Sequence, residues 1–321
     1  MAAILPYTDS SIDLAANVIR EGKVVAFATE TVHGLGADTF NPEAISRVYE
    51  LKSRPGGNPL IAHVLDLAMA KDVSEGWTRR AMHLAARCWP GPLTMILPRR
   101  ESVPASASGG LPTIAVRSPR HPLARCLLYA SGRPISAPSA NRSGGVSPTT
   151  AAHVAADYEG EADLIVLDGG PCLVGIESTV VDLTESKPVV RRLGAVTIEQ
   201  LSEVLGAIEV DVAVEQGASP GTALRHYAPR IPVILVERER LAETLGSGPP
   251  SAVLCFEATP VEAPHVRIVL PPEADGYAAQ LYDAMRRADS TGCLRLVIEL
   301  PPKNPGLWTA IHDRLSRAAN G

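Results

Sequence analysis

Short apolar runs alternate with amphipathic stretches along most of this chain, and the alternation lapses once, between Ala207 and Arg230. No single motif restricts the fold as strongly. Four- to seven-residue apolar runs separated by helical periodicity imply α/β sheets, and the lapse implies two of them. At 321 residues the chain also exceeds the roughly 250 that one hydrophobic core organises. The expected division is a first domain over residues 1–206, a connector over 207–230 and a small doubly wound α/β unit over 231–321.

Within the first part, Ser10 or Ser11 is expected to cap a helix with Ile12, Ala15, Ala16 and Ile19 on one face, and Val24–Phe27 reads as a buried strand. Residues Thr29 to Gly36 are then expected in a loop. Asn41-Pro42 opens a second helix that runs into Lys52. Strands follow near 60–64, 94–97, 113–116 and 134–137, alternating with helices near 78–88, 122–130 and 149–156. Closely spaced strands near 164–167, 179–183 and 189–192 imply a mixed rather than purely parallel sheet. After the connector, strands near 232–236, 251–255, 266–270 and 294–300 alternate with helices near 240–245, 277–287 and 307–318.

Composition narrows the function classes. Through Val210 there are 19 Lys and Arg against 22 Asp and Glu, and the remainder has 11 against 13. Neither part carries the basic excess of an electrostatic nucleic-acid binder, so any positive potential must be local. Aromatics are 4% of the chain, which leaves few flat surfaces for stacking bases. The five cysteines have no C-x-x-C spacing and read as reduced core thiols. No apolar run approaches the ~18 residues of a membrane span, and no leader pattern is evident, so the expected location is cytoplasmic.

Two polar clusters stand where regular segments meet Gly/Pro-rich turns: Lys52-Ser-Arg54-Pro-Gly-Gly-Asn58-Pro, and Ser136-Ala-Pro-Ser139-Ala-Asn141. Lys52 and Arg54 at a helix end could simply answer the helix dipole. With Gly56 and Gly57 beside them and neutral donors in a second loop, they read instead as an exposed anion cradle suited to phosphate. Arg117, emerging from an apolar strand, is placed to clamp a carboxylate or to make a rim salt bridge. His63 inside a strand reads equally as a core histidine. No P-loop, G-x-G-x-x-G, nucleophile elbow or histidine pair with zinc spacing occurs.

Taken in order, Thr29-Glu-Thr-Val-His-Gly-Leu-Gly36, the two clusters above, Trp89-Pro-Gly-Pro-Leu-Thr94, Gly175-Ile-Glu-Ser-Thr179 and Arg225-His-Tyr-Ala-Pro229 resemble the YrdC-like family. The resemblance is strong over residues 5 to 230 and is to the family's long, two-domain form. It implies a twisted mixed sheet with a basic cleft, and an ATP-dependent nucleotidyltransferase joining L-threonine, bicarbonate or CO2, and ATP into threonylcarbamoyl-adenylate and pyrophosphate. That product serves threonylcarbamoyladenosine modification of tRNA, through hand-off to a tRNA transferase machinery.

By the same resemblance, Lys52, Arg54, Asn58, Thr113, Ala137, Ser139, Asn141, Ser147, Arg192 and Tyr227 would serve ATP, with Lys52 and Arg54 in the catalytic role. Thr29, His63, Arg117 and Ser178 would hold L-threonine. Mg2+ is expected on the ATP phosphates rather than on protein ligands, and the connector would act as a lid carrying Tyr227. His33, where the family often has Tyr, and Thr222-Ala-Leu224 depart from the pattern. The nucleotide cradle is expected wholly within the first domain. The alternative is an RNA-binding module of the same fold without adenylating activity; the acidic balance and sparse aromatics favour the enzyme, and direct tRNA contact is left open.

Overall fold

The computed structural model describes residues 2–211 and 227–320. In chain order the first part comprises β1 (Ala3–Pro6), α1 (Asp9–Arg20), β2 (Val25–Phe27), β3 (Gly34–Asp38), α2 (Pro42–Lys52), β4 (Ile61–His63), α3 (Leu67–Val73), α4 (Arg79–Cys88) and β5 (Leu93–Pro98). It continues through β6 (Thr113–Arg117), α5 (Pro122–Ser131), β7 (Ile135–Ala137), α6 (Ala151–Asp157), β8 (Ile165–Asp168), β9 (Thr179–Asp182), β10 (Val189–Arg192), α7 (Ile198–Leu205) and β11 (Glu209–Val210). The second part holds β12 (Val233–Val236), α8 (Arg238–Gly246), β13 (Ser251–Cys255), β14 (Val266–Val269), α9 (Ala274–Asp289), β15 (Arg295–Glu299) and α10 (Leu307–Ala319).

The first-part strands form one eleven-stranded sheet among the described residues, in the order β1-β8-β2-β3-β7-β4-β6-β5-β9-β10-β11. It is mixed: β2 runs parallel to β8 but antiparallel to β3, and β5 runs antiparallel to β6 but parallel to β9. Successive residues of a strand face opposite sides, so Val25 and Phe27 pack with Ile12, Ala15 and Ile19 of α1 and Leu127 of α5, whereas Ala26 packs with Ile45 and Val48 of α2. Helices therefore cover both faces, which is why these strands read as continuous apolar runs.

The second sheet is all parallel, in the order β12-β15-β13-β14. Val253 and Val297 face α8, while Leu254, Leu296 and Ile298 face α9 and α10. This is the small doubly wound unit that the alternation predicts.

Four local details differ from the sequence expectation. Thr8 caps α1, its Oγ1 accepting from the Ser11 backbone N–H at 3.2 Å, which puts Ser10 and Ser11 inside the first turn. Residues 34–36 lie in β3 rather than in a loop, because Leu35 pairs back onto Ala26 in the antiparallel β2–β3 hairpin. Glu209 and Val210, expected in the connector, form β11 beside β10. Cys126 is exposed and Cys88 half-buried, so only Cys172, Cys255 and Cys293 are core thiols; none of the five is in a disulfide. Among the described residues no helix is long and apolar enough to cross a membrane.

Candidate active site

One cleft opens where the ends of β2, β4, β6, β7 and β10 meet the turns beyond them. Thr29, Arg54, His63, Arg117, Ala137, Ser139, Ser178, Arg192 and Tyr227 all line it. The topology accounts for the convergence: β4 lies between β6 and β7, in register so that His63 pairs with Arg117 on one side and Ile135 on the other. Residues 54 sequence positions apart thus become neighbours across a ladder. The cleft is narrow and partly open, with about 40 Å³ of free volume.

Three arginines face this space, and each is held by the protein. Arg117 is buried and pairs with Glu30 at 2.7 Å, donates to Thr31 Oγ1 at 2.8 Å, and reaches the Gly91 carbonyl. Burial pushes the Glu30 carboxyl up, but Arg117 holds it below its ordinary value. Arg192 donates to the Ser178 carbonyl and to Ser178 Oγ, each at 3.0 Å, and burial lowers its pKa. Arg54 donates to the carbonyls of Asn58 and Pro59, both at 3.1 Å, and burial lowers it to about 10. The Arg54 guanidinium carries more N–H groups than these contacts use, and so does that of Arg117, so both can still meet an anion.

The neutral lining is equally constrained. His63 Nδ1 lies 3.0 Å from the Ile61 carbonyl and 3.3 Å from that of Ile135, which assigns the proton to Nδ1 and leaves Nε2 as the acceptor. Burial, and then the charge of Arg117, push His63 down to about 3. Thr29 Oγ1 donates to the Val32 carbonyl at 2.6 Å, and Ser178 Oγ lies 2.7 Å from Thr94 Oγ1.

Five expected residues stand behind the lining rather than in it. Lys52, read as an exposed cation, is 1% exposed. It ends α2, where Ser53 takes the left-handed conformation at φ 53°, and its ammonium turns inward to the carbonyls of Ser139, at 2.6 Å, and Asn141. Lys52 therefore binds the second cluster to the first. Asn141 Oδ1 accepts from Ser139 Oγ at 2.6 Å while its Nδ2 donates to the Arg142 and Gly145 carbonyls. Ser147 donates to Glu177 at 2.6 Å. Asn58 presents its backbone carbonyl to Arg54, and Thr113 opens β6 opposite Pro98.

Sequence reasoning passed over Glu30 and Glu177, although both sit inside motifs quoted for their neighbours. Glu177 lines the cleft and accepts from Ser147, from Tyr282 Oη at 2.9 Å and from Arg314 Nε at 2.8 Å. Tyr282 and Arg314 lie on α9 and α10 and stand behind Glu177 without lining the cleft, whose lining residues fall within 29–192 apart from Tyr227. Tyr227 is buried, adopts φ 64°, stacks on Tyr282 at 5.6 Å, and has the Arg314 guanidinium 5.1 Å from its ring centre. The rest of the expected lid, including Arg225 and His226, lies outside the described residues.

Comparison with known proteins gives the chain's relatives. A family model described as Telomere recombination matches residues 17–194, and one described as Threonylcarbamoyl-AMP synthase, C-terminal domain, matches residues 196–320. The chain is 40% identical to the threonylcarbamoyl-AMP synthase of Pyrococcus abyssi, over 96% of this chain and 94% of that one. It is also 40% identical to the Bacillus subtilis protein of the same name, over 99% and 95%. A crystal structure of P. abyssi Sua5 complexed with L-threonine superposes with a TM-score of 0.92 at 38% identity, covering 99% of this chain and 97% of the other. With both family models matched in order and full-length relatives at this identity, the chain belongs to the threonylcarbamoyl-AMP synthase family.

Proposed function

We propose that the cleft takes ATP and L-threonine and, with bicarbonate or CO2, forms threonylcarbamoyl-AMP and pyrophosphate in the cytoplasm, for threonylcarbamoyladenosine in tRNA. The observation that carries this reading is the convergence of Arg54, Arg117 and Arg192 on one buried space walled by Thr29, His63, Ser139 and Ser178. Three cations with neutral hydrogen-bonding groups suit two anions held side by side. They do not resemble a nucleophile with its base, and the reaction needs none: the threonine amine takes up CO2 and loses a proton, a carbamate oxygen attacks the α-phosphorus, and the bond to pyrophosphate breaks.

Orientation and charge neutralisation are the protein's part. In this reading Arg54 and Arg192 face the phosphates, Ser139 and Ala137 border the nucleotide, and Tyr227 closes over it. Lys52, Asn58, Thr113, Asn141 and Ser147 hold those groups in place. Thr29, His63, Arg117 and Ser178 take threonine; neutral His63 can accept from its ammonium or hydroxyl, and Arg117 turns its remaining N–H groups to the carboxylate. The described residues include no cluster of three His, Cys, Asp or Glu able to hold a metal, and Glu30 and Glu177 are committed to arginines. Mg2+ is expected on the ATP phosphates.

We assign the chemistry to residues 1–206, with 207–230 joining them to a supporting unit over 231–321. The test is pyrophosphate release from ATP, Mg2+ and bicarbonate, comparing L-threonine with L-serine and with no amino acid, alongside mass spectrometry of the product. Threonine-dependent release with the threonylcarbamoyl-AMP mass is expected. RNA binding without turnover would favour the alternative of a binding module.

A further inference from the structure

Glu177 poses a problem for an anion site, since a carboxylate in the wall of a phosphate cleft repels the ligand the cleft must hold. The structure answers it from the other part of the molecule. Arg314 is fully buried, as is Tyr282, and both point out of the second sheet's helices into the first part. The Arg314 Nε donates to Glu177 at 2.8 Å, and its other nitrogens reach the Leu193 carbonyl at 2.7 Å and Asp313 at 2.6 Å. A residue with no tie to the cleft would not be expected to bury a guanidinium between two domains, because desolvating it is costly unless every contact is made.

Resting on the reading above, we propose that Arg314 is a positioning residue for ATP: it cancels the charge of Glu177 across the domain interface, so that Glu177 can hold Ser147 and seat Tyr227 without repelling the triphosphate. Tyr227 packs between Tyr282 and the Arg314 guanidinium, so the same contact fixes the ring that lines the cleft. The second domain thereby becomes part of the nucleotide site without touching the nucleotide. Burial alone would push the Glu177 carboxyl up; Arg314 first and Arg192 next hold it at about 2, in agreement with a carboxylate kept charged and paired.

The chemistry of the pair dictates the test. In Arg314→Met the bared carboxylate should raise the ATP KM and the ATP Kd, the latter measured by calorimetry, on the order of tenfold or more, with the threonine KM moving less. In Glu177→Gln alone, the amide oxygen can still accept from Arg314 and Tyr282 while its NH2 faces the Ser147 hydroxyl, and the repelling charge is gone, so the ATP Kd should not rise. In the double variant the amide can donate to Tyr282 Oη, neither charge of the Glu177–Arg314 pair remains and Asp313 keeps Arg317, so the ATP Kd should return to within about threefold of wild type, a coupling that a merely structural role does not produce. Tyr282→Phe keeps both charges and should stay within about threefold.

An unchanged ATP Kd in Arg314→Met, or a double variant no better than it, would overturn the proposal. Should Arg314→Met fail to fold, a tenfold rise in Tyr282→Phe, showing that geometry rather than charge carries the effect, would overturn it equally. Because ATP affinity is read apart from turnover, a wild type that binds ATP but makes no threonylcarbamoyl-AMP removes the assigned reaction while the effect of Arg314 on affinity is still decided.

Discussion

Lys52 and Arg54 are two residues apart and carry the same charge, yet the fold gives them different work. Arg54 lines the cleft, so Arg54→Ala should lower threonine-dependent pyrophosphate release by about 100-fold or more, as loss of an oriented cation at a developing charge does. Turnover within a few-fold of wild type would remove Arg54 from the site. Lys52 spends its ammonium on two buried carbonyls, so Lys52→Met should cost stability as well as activity. Losing hydrogen bonds to a buried charged group costs about 2–4 kcal/mol, and a melting temperature equal to that of wild type would contradict the placement. Burial also fixes the protonation of His33 and His63, both lowered to about 3. The folded protein then binds fewer protons than the unfolded chain, whose histidines titrate near 6.5. Stability from this source is complete above that value and is lost as pH falls toward 3. Glu177, held at about 2, adds a loss of the same sign below the ordinary carboxylate pKa. The melting temperature should therefore fall steadily between pH 6.5 and 4, and a flat profile would mean that these histidines are accessible to protons in the fold.

The approach of α9 to the first part depends on one glycine. Gly175 has φ +74°, and a Cβ there would lie 2.3 Å from the Ala278 carbonyl oxygen and 2.4 Å from the Ala279 Cα. Both are backbone atoms of α9, so no rotamer change relieves the clash. Gly175→Ala should push α9 outward, withdraw Tyr282 from Glu177 and cost about 2 kcal/mol or more from strain and overpacking together. Thermal melts should report it; a variant matching wild type would show that the helix sits further from this turn. The β4–β6–β7 ladder is less exposed to such changes, because its register is set by buried side chains on both faces.

The two sheets are joined by partly buried polar contacts as well as by apolar packing. Arg286 of α9 pairs with Asp157 of α6 at 2.6 Å and donates to the Val146 carbonyl at 2.5 Å, and His153 lies 3.3 Å from Asp283. With Glu177 and Arg314 these contacts tie both ends of the interface. We expect the chain to melt in a single calorimetric transition, and Arg286→Leu, which leaves Asp157 without its closest cation, to lower or split that transition. Two separate transitions in the wild type would show that the parts fold independently.

The sequence by itself determined the elements and their class. Local periodicity and caps such as Asn41-Pro42 act over a single turn or strand, so α2, the β4 to β7 strands and all four strands of the second sheet were legible. Short β1, β11 and α3 were not, because a few residues carry too little periodicity and depend on their neighbours to form. The motif order also located most residues that line the cleft. What each charge does was settled only by folding. Whether Lys52 faces solvent or two carbonyls, whether Arg117 meets a ligand or Glu30, and that Arg314 reaches Glu177 across 137 positions depend on which segments the sheet order brings together. Electrostatic partners act through space and leave no periodic trace along the chain, so the site's cations could be read in sequence while their balance could not.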